Sequence, residues 1–555
     1  MRKDASGWQV RLDEALIERY SRSGDWPNKT LADFARELAA RDPQRLTHVF
    51  EGQRCTVSEL LAEADALAAA LRARGLRAGD AVSFQLPNWR EAVVIDLATT
   101  VLGLVVAPIV PIYRDAEVAF MLADAGVKAA FFPTEYRGFD YGAMMARIAP
   151  QLPQLQLRIT VRGPSSAGAE RYEALIGEDA RLGELPVVDP HAVKMILYTS
   201  GTTGRPKGVL HSHNTGPLRL KRAFERWSRG STIAGLDNVL LMASPVTHVT
   251  GQSGMELPFF SDSRTVFMER WNADEALELI DREHVTASVG ATPFLQELLD
   301  AASRSGRRLP TLQVFACGGA EVPPALIARA YAVLEQCRAF RVYGSSEVPL
   351  TTLGFSGEGE MDLAAQTDGK VADYEVRILD DDGQRVAPGA EGEICVRGPA
   401  MLLGYGNPEA TAASFDAEGF FATGDLGRLT ADGAIVVTGR KKDLINRGGE
   451  KVSAKEVEDI LHRMPGIKEA AVVAMPHARL GETLCAYVIA HAGAEVDLES
   501  VLAFVAKAGV AKQKYPERLE VVDDFPRTAS GKIRKDRLRS MIRERLQAET
   551  AAATL

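Results

Sequence analysis

Eleven residues, Tyr198-Thr-Ser-Gly-Thr-Thr-Gly-Arg-Pro-Lys-Gly208, bring together three glycines, four Ser/Thr hydroxyls and one lysine. Glycines let a backbone turn tightly enough to aim N–H groups inward, and Ser200, Thr202 and Thr203 add hydroxyl donors. Lys207 supplies a mobile point charge suited to phosphate oxygens. This composition points to a loop that grips a polyphosphate rather than to a plain surface loop. It is not the G-x-x-x-x-G-K-[S/T] phosphate loop. Pro206 precedes the lysine, and Gly208 stands where that motif needs a magnesium-binding hydroxyl.

Four further groups have the residue types for nucleotide chemistry. Tyr343-Gly-Ser-Ser-Glu347 offers a ring to stack on a base, hydroxyls for phosphate and a carboxylate for Mg²⁺. Cys317-Gly-Gly-Ala320 follows an apolar run, as a strand-to-helix turn does. Asp425, in Phe421-Ala-Thr-Gly-Asp-Leu426, is a carboxylate able to accept hydrogen bonds from hydroxyls. Lys532 lies on a Gly-containing turn in Pro526-Arg-Thr-Ala-Ser-Gly-Lys-Ile533.

The elements that must position these groups are legible from spacing. Val193 to Leu197 reads as a buried strand before the first loop. Thr56-Val-Ser-Glu59 is a capping box opening a helix that Gly75 stops. Strands at Ala81 to Leu86, Leu104 to Val110 and Val127 to Phe132 alternate with helices at Trp89 to about Leu102 and at Ala116 to Ala125. Such alternation predicts parallel α/β units covered on both faces. From Val376 short strands separated by Asp-Gly and Pro-Gly turns predict a small, mostly antiparallel β subdomain over about 370–438. A second capping box, Ser453-Ala-Lys-Glu456, opens new α/β units. The expected organisation is α/β: a large N-terminal domain, 1–439, with parallel α/β sheets and the β subdomain, and a mobile small α+β C-terminal domain, 440–555.

At 555 residues more than one core is expected, and 46% hydrophobic with 25% charged residues is ordinary for a soluble protein. The net charge of −9 argues against a general nucleic-acid surface. Five scattered cysteines form no C-x-x-C pair and read as small core residues in a reducing compartment. The N-terminal stretch lacks a signal peptide's apolar run, and Ala92 to Val110 is broken by Asp96, Gly103 and Pro108. The expectation is therefore a cytoplasmic protein without a membrane span.

Taken in chain order, the motifs resemble those of the adenylate-forming superfamily of acyl-CoA synthetases, luciferases and peptide-synthetase adenylation domains. The blocks are S-G-T-T-G-x-P-K-G, Tyr343 to Glu347, Tyr405-Gly-Asn-Pro-Glu409, Phe421 to Leu426, Thr438-Gly-Arg-Lys-Lys-Asp443 and P-x-T-x-S-G-K-I. They span about residues 195 to 535, with Ser346 where the family more often has threonine.

The resemblance implies ATP, Mg²⁺ and coenzyme A as cofactor and co-substrates. Thr199, Ser200, Gly201, Thr202, Thr203, Gly204 and Lys207 are then expected on the pyrophosphate side. Gly318, Gly319 and Ala320 flank adenine, while Tyr343, Gly344, Ser345 and Ser346 complete the nucleotide site and Glu347 holds the metal. Asp425 accepts from both ribose hydroxyls and Arg440 touches the nucleotide. Lys442 is the hinge, and Gly448 and Gly449 line the pantetheine tunnel. His248, in Pro245-Val-Thr-His248, sits beside the acyl carboxylate and gates thiol entry. Lys532 is the adenylation lysine bridging carboxylate and α-phosphate.

The whole-chain texture looks closest to short- and medium-chain and cyclohexanecarboxylate–CoA ligases. Alternatives are an aryl acid–CoA ligase, an adenylation enzyme loading carrier-bound phosphopantetheine, or a nucleotide-binding sensor or light-emitting oxygenase on the same fold. The expected acyl pocket (Val249 to Gly254, Gly290 to Phe294, Gly318 and Val348 to Thr351) is mostly apolar and shows no cation. It favours a compact apolar carboxylic acid. A monomer and a homodimer are equally compatible with the chain.

Overall fold

The Thr56 capping box forms as its spacing predicts. Thr56 accepts from the Glu59 N–H, the Glu59 carboxylate accepts from the Thr56 N–H, and the helix runs over Val57–Ala73. The next helix spans Arg90–Leu102 and ends at Gly103, whose φ of 66° suits a residue without Cβ. Helices such as this cover sheets built mainly from parallel strands. The computed structural model describes residues 1–166, 168–199, 206–228, 238–320, 322–448, 450–528 and 531–554.

An eight-stranded sheet carries, in order, the strands Glu170–Arg171, Leu157–Val161, Val127–Pro133, Ala81–Phe84, Val105–Val106, Val193–Thr199, Lys207–Ser212 and Gly404–Tyr405. The expected strand Leu104 to Val110 is regular only at Val105–Val106. Its backbone still bonds onward, with Ala107 N–H to Val82 O and Ile109 N–H to Phe84 O on either side of Pro108, which has no N–H to give. A seven-stranded sheet contains five consecutive parallel neighbours from Arg338–Val342 to Ser263–Phe267, then the hairpin Leu46–Phe50 and Gln53–Thr56.

Two smaller sheets follow. Glu375–Leu379, Gly392–Arg397, Phe421–Leu429 and Ile435–Arg440 form a four-stranded antiparallel sheet. The chain leaves it through the single turn Lys441–Asp443 and enters a five-stranded C-terminal sheet at Leu444–Arg447. Alternation splits that sheet's core in two. Val472 and Leu484 face the helices Ala454–Leu461 and Leu498–Lys507, and Val473 and Cys485 face Leu538 and Ile542. The second capping box is only half made. Ser453 accepts from the Glu456 N–H, but the Glu456 carboxylate takes Lys514 instead.

All five cysteines are free and buried. Among the described residues no helix is long and apolar enough to cross a membrane.

Candidate active site

The strands Val193–Thr199 and Lys207–Ser212, on either side of the loop expected to grip phosphate, pair antiparallel. Thr199 pairs with Lys207 and Tyr198 with Gly208, so Lys207 and Gly208 belong to the returning strand rather than to the loop. A Cβ at Gly208 would lie 2.8 Å from Ile196 Cγ2, so only glycine lets the two strands close here. Ser200, Gly201, Thr202, Thr203 and Gly204 lie outside the described residues, as does Gly449.

From the hairpin the side chains connect toward the second motif. Lys207 Nζ stands 5.1 Å from the centre of the Tyr405 ring, and the Tyr405 hydroxyl donates to Glu347 Oε1 at 3.1 Å. Tyr405 reaches this place because Gly404–Tyr405 adds to the hairpin's free edge, Val209 opposite Tyr405. Tyr405 was visible in the sequence only as part of a motif; its bond to Glu347 is set by the sheet. His211, on the same strand, gives its Nε2 proton to Ser346 O at 2.7 Å, fixing the loop that presents Glu347.

That loop is folded on itself. Ser345 Oγ accepts from the N–H groups of Glu347 and Val348 at 3.2 and 3.3 Å, so part of its capacity is structural. Gly344 is required, since a Cβ would sit 2.5 Å from Leu350 N. Tyr343 is buried, and its hydroxyl donates to Asp425 Oδ2 at 2.8 Å. Burial, with the Asp425 charge beside it, pushes this phenol well above the usual range, so it stays a donor.

Asp425 also forms an ion pair with Arg440, whose Nε lies 2.9 Å from Oδ1. The pair raises the Arg440 guanidinium further, chiefly through the Asp425 charge. Glu347 makes no ion pair among the described residues, and no cluster of three or more His, Cys, Asp or Glu there could cage a metal. A carboxylate that makes no ion pair and accepts from the Tyr405 hydroxyl at one oxygen, beside the expected phosphate site, fits Mg²⁺, which binds through one or two carboxylates with phosphates and water.

The third wall comes from the C-terminal domain. Lys532 enters the cleft so that its Cε lies 3.8 Å from where a Gly319 Cβ would stand, and Gly319 itself has φ of 80°. Burial and the Arg440 charge push the ammonium down to about 8, while Asp425 and Glu347 pull the other way. His248 precedes the helix Val249–Phe260 and is lowered to about 4, first by burial and then by Lys532. As a residue His248 is half-buried. The same centre therefore holds Lys532, His248, Gly319, Asp425, Arg440 and Glu347. Gly318 closes the strand Val314–Gly318, where a Cβ would strike Val342 O at 2.6 Å, and Ala320 follows on the turn. Gly448 lies in another place, turned against Leu480 of its own domain. Lys442 sits in the turn Lys441–Asp443 at the domain junction, lowered by burial and by Arg440.

A cavity beside the helix Val249–Phe260 is lined by Val249, Gln252, Ser253, Pro349 and Leu350, five of the residues expected for the acyl pocket. Gly290, Phe294 and Gly318 are not part of it; Phe294 is stacked on Trp271 at 4.6 Å. The cavity also has a cation in its lining. Lys194 lies in its wall with His211, His213 and Glu256, which sequence reading missed. The signal was a lysine inside the apolar run Val193 to Leu197.

The family model described as AMP-binding enzyme matches residues 35–406, and that described as AMP-binding enzyme C-terminal domain matches residues 456–532. The chain is 36% identical over 553 residues to the medium-chain fatty-acid–CoA ligase of Escherichia coli (strain K12), covering 97% of this chain and 94% of that one. It is 35% identical over 543 residues to the 2,3-dihydroxybenzoate-AMP ligase of Bacillus subtilis (strain 168), covering 96% and 98%. The crystal structure of ATP-bound MatB from Rhodopseudomonas palustris matches with a TM-score of 0.81 at 29% identity, covering 92% and 99%. A hairpin at the head of one sheet, a Tyr–Asp–Arg group and a lysine delivered from a separate domain thus occur in a chain that belongs to the AMP-binding enzyme family of adenylate-forming acid ligases.

Proposed function

We propose that this protein is an AMP-forming carboxylic acid–CoA ligase acting on a compact, mainly apolar acid, of the medium-chain or alicyclic kind. The observation that carries this reading is the seat of Lys532 against Gly319, beside His248 and within the field of Asp425, Arg440 and Glu347.

A carboxylate is a poor electrophile because substitution would expel an oxide from an already anionic group. In the first half-reaction its oxygen attacks the α-phosphorus of ATP, the bond to the β-phosphate oxygen breaks, and pyrophosphate leaves. Lys532 offsets the repulsion between the two anions as they meet. Lys207 faces the pyrophosphate side, and Asp425 and Arg440 hold the nucleoside end. When Mg²⁺ is bound, held by Glu347, it neutralises triphosphate charge. In the second half-reaction a thiol sulfur attacks the acyl carbon and AMP departs.

Lys532 must then withdraw and Gly448 come to the cleft, which a swivel about Lys442 accomplishes with one nucleotide site. The ties across the junction favour this. Lys451 and Asp381 pair at 2.6 Å on the exposed surface, and such pairs are worth about 0–1 kcal/mol.

A second reading, an aryl acid ligase that loads a carrier protein, is favoured by the nearly equal identity to the 2,3-dihydroxybenzoate-AMP ligase. Incubation with ATP, Mg²⁺, free CoA and a panel of linear, alicyclic and aryl acids separates the two. The CoA ligase reading expects CoA thiol to disappear in step with AMP release. Pyrophosphate exchange without CoA consumption favours the carrier-loading reading.

A further inference from the structure

Three ionisable side chains that the chemistry above does not use meet inside the large domain. Lys194 interrupts an apolar strand, and Asp96 and Glu256 each interrupt an apolar helix. Lys194 Nζ donates to Asp96 Oδ2 at 3.1 Å and to Glu256 Oε1 at 2.5 Å, and all three residues are buried. Two carboxylates share one ammonium. Burial pushes Asp96 up to about 6 in spite of Lys194. As pure bracing such a cluster is inferior to well-packed apolar residues of the same volume.

Its hydrogen-bonding capacity is not used up within the protein. The Gln252 amide donates to Glu256 Oε1 at 2.9 Å, yet Gln252 Oε1 has no partner, nor has His213 Nδ1. Gln252 is 2% exposed and His213 is 3% exposed, so water outside the protein does not satisfy them. Both residues line the same cavity as Lys194 and Glu256. His213 is held neutral, burial lowering it to about 3, so its ring carries one proton to give.

The cavity lies along the helix whose first residue, Val249, follows His248 and is itself part of the lining. Val249, Gln252 and Glu256 recur along one face of the helix that begins just after His248. At 1.5 Å per residue, Glu256 lies about 12 Å along the helix from His248. Val249, Pro349 and Leu350 make part of the cavity wall apolar.

We infer that this floor is a recognition subsite for a hydroxyl at the end of the acid remote from its carboxylate. The preferred substrate is then a medium-length or alicyclic hydroxy acid rather than the plain hydrocarbon acid. The hydroxyl donates to Gln252 Oε1 or to Glu256 and accepts from His213. The surplus negative charge on Asp96 and Glu256 disfavours a second carboxylate there. This rests on the acid-activating reading of the cleft but not on which thiol receives the acyl group.

The test is ATP–pyrophosphate exchange with paired acids: octanoate against ω-hydroxyoctanoate, and cyclohexanecarboxylate against its para-hydroxylated analogue. In the native enzyme kcat/KM should favour the hydroxy acid in at least one pair by about tenfold or more. That ratio should collapse toward unity in Gln252→Leu and in Glu256→Gln. A merely structural role lowers both rates together and leaves the ratio intact. A native preference for the plain acids in both pairs, or a ratio unmoved by both substitutions, overturns the subsite and leaves a water-filled floor. Exchange needs no CoA, so failed CoA consumption with the ratio intact sinks the CoA ligase reading alone.

Discussion

Asp425 and Arg440 face each other directly across two antiparallel strands, with Arg440 Nε 2.9 Å from Asp425 Oδ1. Arg440 is also the last residue before the turn Lys441–Asp443. The register of one hairpin therefore places the carboxylate proposed to hold the nucleotide next to the turn that leads into the C-terminal sheet.

Asp425→Asn should weaken ATP binding. It removes a charged acceptor shared by Tyr343 and Arg440 and leaves a guanidinium short of its partner. Hydrogen bonds to charged groups are worth about 1.5–3 kcal/mol, so KM for ATP should rise roughly 10- to 100-fold. Steady-state exchange kinetics check this, and an unchanged KM for ATP would remove Asp425 from the nucleotide site.

Gly251→Ala should disturb His248. A Cβ at 251 would lie 2.1 Å from Pro245 O, and His248 N–H bonds that same carbonyl at 2.9 Å. Neither backbone can yield without moving the turn that carries the histidine. We expect a loss of about 1–3 kcal/mol in stability and a fall in kcat/KM for the acid, read by denaturant titration and exchange assay. A variant as stable and active as the native enzyme would show that the turn relaxes freely.

How much of this was legible in the sequence depends on range. The Thr56 box, the end of the second helix near Leu102 and the strand before the first loop follow from neighbours a few residues apart. The Ser453 box failed because Glu456 had a distant competitor in Lys514, 58 residues on. The hairpin at Lys207 was read as a loop because turn composition does not reveal which way the chain returns. Asp96, Lys194 and Glu256 were each visible as a charge in an apolar run. Only the fold shows that Lys194 is bonded to residues 98 and 62 positions away.

Stability should fall on acidification. Burial lowers His48, His211 and His213 from the ordinary 6.5 to about 4, 4 and 3, so the unfolded chain takes up protons that the native state refuses. Their contribution is present above 6.5 and is lost as pH falls from about 6.5 toward 4. Asp96, raised to about 6, acts oppositely over part of that range, but it is one group against three. The denaturant midpoint should be lower at about pH 5 than at about pH 7.5, with a shallower slope in His48→Leu. A midpoint constant or rising on acidification contradicts the account.

Adenylation should fail in base. Lys532 acts as a cation, and burial with the Arg440 charge lowers it to about 8. The kcat/KM for exchange, which reports the free enzyme, should decline as pH rises through about 8. Lys532→Arg, weaker overall, should keep its remaining rate to higher pH because a guanidinium does not titrate there. A basic limb at the same pH in both enzymes would assign the ionisation to another group.

The most direct test of the central claim is to separate the half-reactions in Lys532→Ala. The account predicts that ATP–pyrophosphate exchange drops by at least about a hundredfold, in the range seen when an electrostatic stabiliser of a transition state is removed. Transfer from a supplied acyl adenylate to CoA should stay within a few fold of native. Equal loss of both half-reactions, or exchange at the native rate, would contradict it.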